Sequence, residues 1–270
     1  MKLALQKYLQ VFKVSFAQEF AYKANFVMWR VRNMIKFFLI FFIWNSAFVN
    51  NTELFGYDKT KILTYVFGLV FVNAIVLSTR AVDVAGDISR GDIMNLLLRP
   101  VNFFKYWLTR DLSSKVLNLS FGVVEFIILY LYIKPPIYVQ TNPWLIFLFI
   151  ASLILGTYLY FLIAMMTSFI PFWMPEAGWG AHFLITAIFV QFLSGSMFPL
   201  DMFPAFVQNM LYLTPFPYLI FSPLQIYLGK IDGSQLAAFL LVPIAWAILM
   251  TFLLKIFWDR GLKAYEAYGR

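Results

Sequence analysis

RAVDVAGDISRGDIMNLLLRPVNFFKYWLTRDLSSK, residues 80–115, is the stretch on which the reading of the chain turns. It holds ten of the thirty-four Lys, Arg, Asp and Glu side chains and separates two apolar runs. Charge at that density does not rest in hydrocarbon, so the segment lies at or beyond one membrane face. Within it, Gly91-Asp92 followed by Ile93-Met94-Asn95-Leu96-Leu97-Leu98 predicts a short helix with Asp92 as its cap. Pro100 ends that helix because proline has no N–H to continue the ladder, and Arg99 in the last turn suits the helix dipole. Phe103, Phe104, Tyr106 and Trp107, with Lys105 and Arg110, then read as an interfacial lead into the next apolar run. A short helix with an apolar edge and flanking charges suits docking into a groove on a soluble protein. An ordinary basic loop lying against anionic lipid suits the same residues.

Composition makes the membrane unavoidable. Hydrophobic residues are 62% of the chain, charged residues 13%, and mean hydropathy is +0.77. Soluble domains are about 45–50% apolar and about 25% charged. The 32 Phe, 15 Tyr and 8 Trp exceed what a soluble core uses, whereas lipid-facing helices and interfacial belts accommodate them. The absence of cysteine excludes disulfides, a thiolate nucleophile and Cys-based metal sites. The opening MKLALQKYLQVFKVSFAQEF lacks an uninterrupted apolar core and a small-residue cleavage site, and is expected to be retained. A net charge of +8 reads here as positive-inside topology rather than as a nucleic-acid surface.

A helix needs about 20 mainly apolar residues to cross a bilayer. On that ruler six spans are expected, at 31–49, 62–79, 116–133, 144–170, 181–198 and 236–254. Arg32 and Lys36 are expected to snorkel at the start of the first. Seventeen of the twenty-one basic residues fall in the N-terminal arm, the 80–115 loop and the tail. Both termini and the loop are therefore expected on the cytoplasmic side of a single transmembrane unit, residues 1–270. Leu5, Leu9, Phe12, Phe16 and Phe20 recur at helical spacing between lysines, predicting an amphipathic helix along the inner interface, with a plain extension of span one as the alternative. Pro199, Pro204, Pro215, Pro217 and Pro223 break an apolar outer connection, predicting a re-entrant or surface-lying pair of short helices. No internal repeat is evident, which argues against transporters built from duplicated halves.

Little in the chain supports catalysis. His182 is the sole histidine and is expected to be an interfacial polar residue, and no G-x-x-x-x-G-K-[ST] phosphate loop occurs. Glu125 is the one acid well inside an expected span. Such a carboxylate contacts cargo, pairs with a cation, carries a proton, or makes a structural hydrogen bond to a neighbouring helix.

Four motifs carry a family resemblance. They are FAQEFAYKANF at 16–26, DISRGDIMNLLLRPVN at 87–102, FLSGSMFPLDMFP at 192–204 with the later TPFPY, and WDRGLKAYEAYGR at 258–270. Together they resemble the permease subunits of ABC-2 type exporters, and more narrowly an uncharacterised branch related to daunorubicin-type exporters. The resemblance implies an all-α membrane protein of six spans with an interfacial N-terminal helix and re-entrant outer helices between spans five and six. It also implies a cytoplasmic coupling helix between spans two and three. Here that helix maps onto Asp87, Ile88, Arg90, Gly91, Asp92, Leu96, Leu97, Arg99 and Pro100. Glu125, Ser194, Gly195 and Pro199 are the matching candidates for the translocation path. The chain binds no cofactor on this reading; ATP and Mg belong to an ABC ATPase, present in two copies. A second permease, identical or paralogous, completes the complex in the inner membrane of a prokaryote, and nucleic acid plays no part. The cargo would be amphipathic or hydrophobic. An ion-gradient transporter using Glu125 and a membrane scaffold are the alternatives.

Overall fold

The fold was analysed in a computed structural model, which describes residues 2–21, 23–231 and 233–267. The N-terminal helix α1 (Lys2–Ala21) is followed by α2 (Lys23–Ala47). A two-stranded hairpin, β1 (Glu53–Leu54) and β2 (Tyr57–Asp58), leads into α3 (Lys59–Ile75). Two short helices follow, α4 (Asp83–Arg90) and α5 (Ile93–Leu97), then the long α6 (Phe103–Ile133) and α7 (Pro143–Thr167). A bent segment contains α8 (Gly178–Phe183), a π-helical stretch Leu184–Val190 and α9 (Gln191–Leu193). Short α10 (Ala205–Tyr212) and α11 (Phe221–Leu228) precede the closing helix α12 (Gly233–Ala267).

Among the described residues three helical stretches are long and apolar enough to cross a bilayer: Phe103–Ile133, Pro143–Phe172 and Gln235–Tyr265. The other three expected spans fall on α2, α3 and α8–α9. Cations at Arg30, Arg32 and Lys36 interrupt α2, and a π-helical stretch interrupts the fifth. At 17 residues α3 sits at the low end of the crossing range, which runs from about 17 to 25. Half of the apolar stretch in Pro143–Phe172 is buried within the chain, against 17% in Phe103–Ile133 and 22% in Gln235–Tyr265. Thus α7 is the central post, and α6 and α12 leave broad apolar faces for lipid or another subunit.

Helix starts follow local capping rather than the hydropathy ruler. Asp58 accepts from Lys61 N at 2.7 Å to open α3, and Asn142 accepts from Trp144 N at 2.9 Å to open α7 with Pro143 at its first position. Asn102 accepts from Lys105 N at 3.0 Å, so α6 begins at Phe103 and not at residue 116. The expected loop 80–115 is corrected accordingly: its last third is helix. That helix tolerates its buried charges because they are matched. Asp111 and Lys115 are buried as an ion pair at 3.3 Å, and Lys115 also donates to the carbonyls of Ile75, at 2.9 Å, and Ser78. Likewise α12 continues well past residue 254, carrying the tail motif in one unbroken helix as far as Ala267. The final residues of that motif, 268–270, lie outside the described residues.

Aromatic packing joins the helices. Phe37 and Phe41 of α2 meet Phe67 of α3 edge-on, with centroids 5.0 and 6.2 Å apart, and Phe126 of α6 approaches Phe67 to 5.8 Å. Helix α7 approaches the turn before α11 so closely that a Cβ at Gly156 would lie 2.9 Å from the Tyr218 carbonyl oxygen. Helix α1 docks along α6, with Ser113 donating to the Phe12 carbonyl at 3.2 Å. Its expected apolar stripe is divided: Leu5 and Leu9 are exposed and Phe12 and Phe16 half-buried, while Ser15 and Glu19 face the protein. Phe20, the last member of the expected stripe, has no described side-chain position.

At the end of the bundle bearing the hairpin, a polar knot ties the proline-broken segment to the hairpin. Tyr57 Oη donates to Asp201 Oδ2 at 2.8 Å, Gln225 donates to Tyr57 Oη, and the Lys230 ammonium sits 3.1 Å above the Tyr57 ring. Burial, reinforced by the Asp201 charge, pushes the Tyr57 hydroxyl far up, so it remains a phenol.

Candidate functional site

At the opposite end of α3, the chain emerges into α4 and α5. Gly91 adopts φ 84°, the left-handed conformation that glycine takes without a Cβ penalty, and turns the end of α4 into α5. Val84, Ala85 and Ile88 from α4 and Ile93 and Leu96 from α5 point into the core. Met94, Leu97 and Leu98 remain exposed, Leu98 at 83%. The result is a pair of short helices fixed from beneath with an apolar edge on top.

Charges frame that edge. The Arg90 guanidinium is 3.0 Å from Asp87 Oδ1 and 2.9 Å from Asp92 Oδ2. Asp92 therefore makes no side-chain cap for α5, correcting the expected N-cap, because its carboxylate is taken by Arg90. Nor is there one coupling helix from 87 to 100: Gly91 divides the region into two. Ile88 and Leu96, both expected in the docking set, are buried anchors. Arg90, Asp92, Leu97, Arg99 and Pro100 are exposed, Gly91 is partly exposed, and Asp87 is partly covered. Burial pushes the Asp87 carboxyl up from its ordinary value, and the positive charge of Arg90 pulls it back part of the way.

The base of this platform is held by ions from three helices. Arg80 pairs with Glu19 of α1 and lies 3.6 Å from Asp83, which is also 3.6 Å from Arg110 of α6. The Arg80 backbone N–H donates to Asp111 Oδ1 at 2.9 Å. Burial pushes the Asp83 carboxyl up, with Arg80 and Arg110 opposing.

The C-terminal motif meets the same platform, a convergence that sequence spacing does not reveal. Trp258 of α12 stacks on Phe103 with centroids 4.1 Å apart and packs against Phe104, Phe169 and Phe172. Further along, Tyr265 is buried against Phe172. Its hydroxyl would lie 3.6 Å from a Cβ placed on Gly91. Ser89, Arg90, Gly91, Met94 and Tyr265 line an open groove of about 450 Å³. The signal available in the sequence is the aromatic content of the tail, Trp258, Tyr265 and Tyr268.

The four path candidates separate into two places. Glu125 Oε2 on α6 lies 3.1 Å from Arg30 Nη1 of α2, and Arg30 also donates to Asn118 Oδ1 at 2.7 Å. Ser194, Gly195 and Pro199 are buried in the turn after α9. There the Gly195 carbonyl accepts from Tyr65 Oη at 2.6 Å, and the Ser194 carbonyl accepts from Phe221 N at 3.0 Å. Gly195 holds φ 83°, which shapes the turn. His182 is buried within the chain, its Nδ1 2.8 Å from the Thr167 hydroxyl. Lys36 does not snorkel. Its ammonium crosses to the fifth segment, donating to Gln191 Oε1 at 2.9 Å and Ser196 Oγ at 2.6 Å.

Residues 34–269 match the family described as ABC-2 family transporter protein, and the chain belongs to that family. No curated protein matches it. Membership makes the protein a membrane permease of ABC type, a transport subunit that is not by itself an enzyme, and it implies an ABC ATPase as partner.

Proposed function

We propose that the chain is the permease subunit of an ABC exporter in the inner membrane of a prokaryote, related to the daunorubicin-type branch. It crosses six times, with α2, α3 and the α8–α9 segment joining the three longer helices, and both termini lie in the cytoplasm. The proline-broken α10–α11 segment forms the re-entrant outer cap. Two copies of a separate ATPase hold ATP and Mg, and a second permease, identical or paralogous, completes the path for an amphipathic or hydrophobic cargo.

The observation that carries this reading is the α4–α5 pair. Its inner face is anchored by Ile88, Ile93 and Leu96, while Met94, Leu97 and Leu98 stay exposed beside Arg90 and Asp92. A short amphipathic element with that division suits insertion into a groove on a soluble partner. Because Trp258 and Tyr265 bring α12 against the same platform, a push on α4–α5 is delivered to membrane helices at once. Closure of the ATPase dimer on ATP would thus bias the paired permeases between inward- and outward-open states, as coupling between subunits requires. The ion-gradient alternative loses ground because the Glu125 carboxylate is held by Arg30, an arrangement suited to joining α2 to α6.

Co-purification with the ATPase encoded nearest to this chain tests the proposal. The native protein should retain the ATPase, and a variant with residues 87–99 replaced by a Gly/Ser linker should lose it while still eluting as a single species. Undiminished ATPase binding by the linker variant would sink the coupling assignment.

A further inference from the structure

The cations on the membrane helices are not treated alike. Arg30 has Glu125 at 3.1 Å and Lys115 has Asp111 at 3.3 Å. Lys36 has no carboxylate among the described residues, and its two acceptors, Gln191 Oε1 and Ser196 Oγ, are both neutral. An ammonium carries three N–H donors, so one remains unassigned. Arg32 lies one helical turn earlier on the same face, where like charges at this spacing repel. Its guanidinium lies 3.8 Å over the Trp29 ring and also lacks a carboxylate among the described residues. Two adjacent positive charges in an apolar setting, with donors to spare, are costly unless an anion joins them.

The surroundings say what kind of anion fits. Ser196 is fully buried, and the hydrogen bonds of Lys36 place its ammonium in the seam between α2 and α9. Leu39, one turn after Lys36 on α2, and Phe192, the residue after Gln191 on α9, are exposed apolar side chains. A molecule with an acidic head and an apolar body would set its charge on Lys36 and Arg32 and lay the remainder along those side chains. We propose that the α2–α9 seam is a binding site for the carboxylate or phosphate group of an amphiphile, with Lys36 and Arg32 supplying the charge and Gln191 and Ser196 orienting the ammonium. That the occupant is cargo rests on the exporter reading; that the seam takes an anion does not.

The test uses the full chain purified in a neutral maltoside detergent, with its thermal unfolding midpoint followed by size-exclusion chromatography. Dodecyl phosphate and dodecanoate should raise the midpoint by several degrees more than dodecanol does. Lys36→Gln and Arg32→Gln should each at least halve that anion-specific increment, and Lys36→Arg should keep it. Equal stabilisation by dodecanol in the native protein overturns the proposal, as does a full increment in Arg32→Gln, whose exposed position makes it the variant to rely on if Lys36→Gln does not fold. Reconstitution with the ATPase separates the sources of the anion. Hydrolysis stimulated by dodecyl phosphate in pure phosphatidylcholine vesicles marks cargo, and stimulation by added phosphatidylglycerol alone assigns the seam to a lipid headgroup. An anion-specific midpoint shift in a protein that binds no ATPase keeps the seam and removes the exporter reading.

Discussion

Arg30 and Lys36 stand less than two turns apart on α2, yet they are accommodated in opposite ways. Arg30 is enclosed by the Glu125 carboxylate and the Asn118 side chain, both on α6. Lys36 reaches the other way, to a glutamine and a serine in and after α9. The first arrangement cancels charge and ties two helices together. The second leaves net charge in place, which costs stability in an apolar setting and is retained where something else needs it. One helix therefore carries a cation matched by an acid and one met by neutral oxygens, and the difference lies in which neighbour brings an acid.

The largest effect should come from breaking the matched pair. Glu125→Gln leaves Arg30 without its counter-charge, and loss of one partner of a buried pair costs about 3–5 kcal/mol. The yield of monodisperse protein should fall sharply, and the double variant Arg30→Gln/Glu125→Gln should recover most of it. A Glu125→Gln protein as stable as the native one would assign the carboxylate to transport and erase the contrast with Lys36.

Ser196→Ala removes one of the two oxygens serving Lys36. A hydrogen bond to a charged group contributes about 1.5–3 kcal/mol, so thermal unfolding should move down by less than in Glu125→Gln. A drop as large as that one would mean that the serine carries the ammonium as fully as Glu125 carries Arg30.

The exposed charges on either side of Gly91 set the lower bound. Asp92→Asn breaks an exposed contact with Arg90, which keeps Asp87, and should change stability by less than about 1 kcal/mol. The pH response there has a definite sign. Asp87 is raised above its ordinary value of 3.8, so the folded state holds its proton more tightly than the unfolded state. The corresponding stability is present below that value and is lost as pH rises through the folded one. Asp87→Asn should flatten the segment of the melting-temperature profile that lies just above pH 3.8; an unchanged profile would assign it to other groups.

Much of this was legible in the sequence wherever a local rule acts alone. The membrane character, the Pro100 stop and the break-up of the 199–235 connection follow from composition and proline chemistry. The α4–α5 region was marked by its glycine and its charges, but its division was not. A cap at Asp92 assumed a carboxylate with nothing better to bind, and Arg90 is better. The helix itself begins thirteen residues before the expected span, at Phe103, for a related reason: the ruler counts charges as solvent-seeking, while Asp111 and Lys115 satisfy each other inside α6. The contacts of Trp258 and Tyr265 are not legible in the sequence because their partners, Phe103 and Phe172, are distant in it.

What the sequence by itself determined is a greasy, cysteine-free chain with one charge-dense segment between two apolar runs, together with the motifs that mark its family. Those properties are local, set by transfer free energies and backbone chemistry residue by residue. Which of the α2 cations is cancelled was decided only by tertiary structure. Arg30 and Lys36 look equivalent in the sequence, and only helix packing gives the first an acid and leaves the second with neutral oxygens, whereas Lys115 has its acid, Asp111, one turn away on the same helix. The physical reason is reach: charge pairing acts over a few ångströms, and the partners come from helices that the chain brings together only on folding.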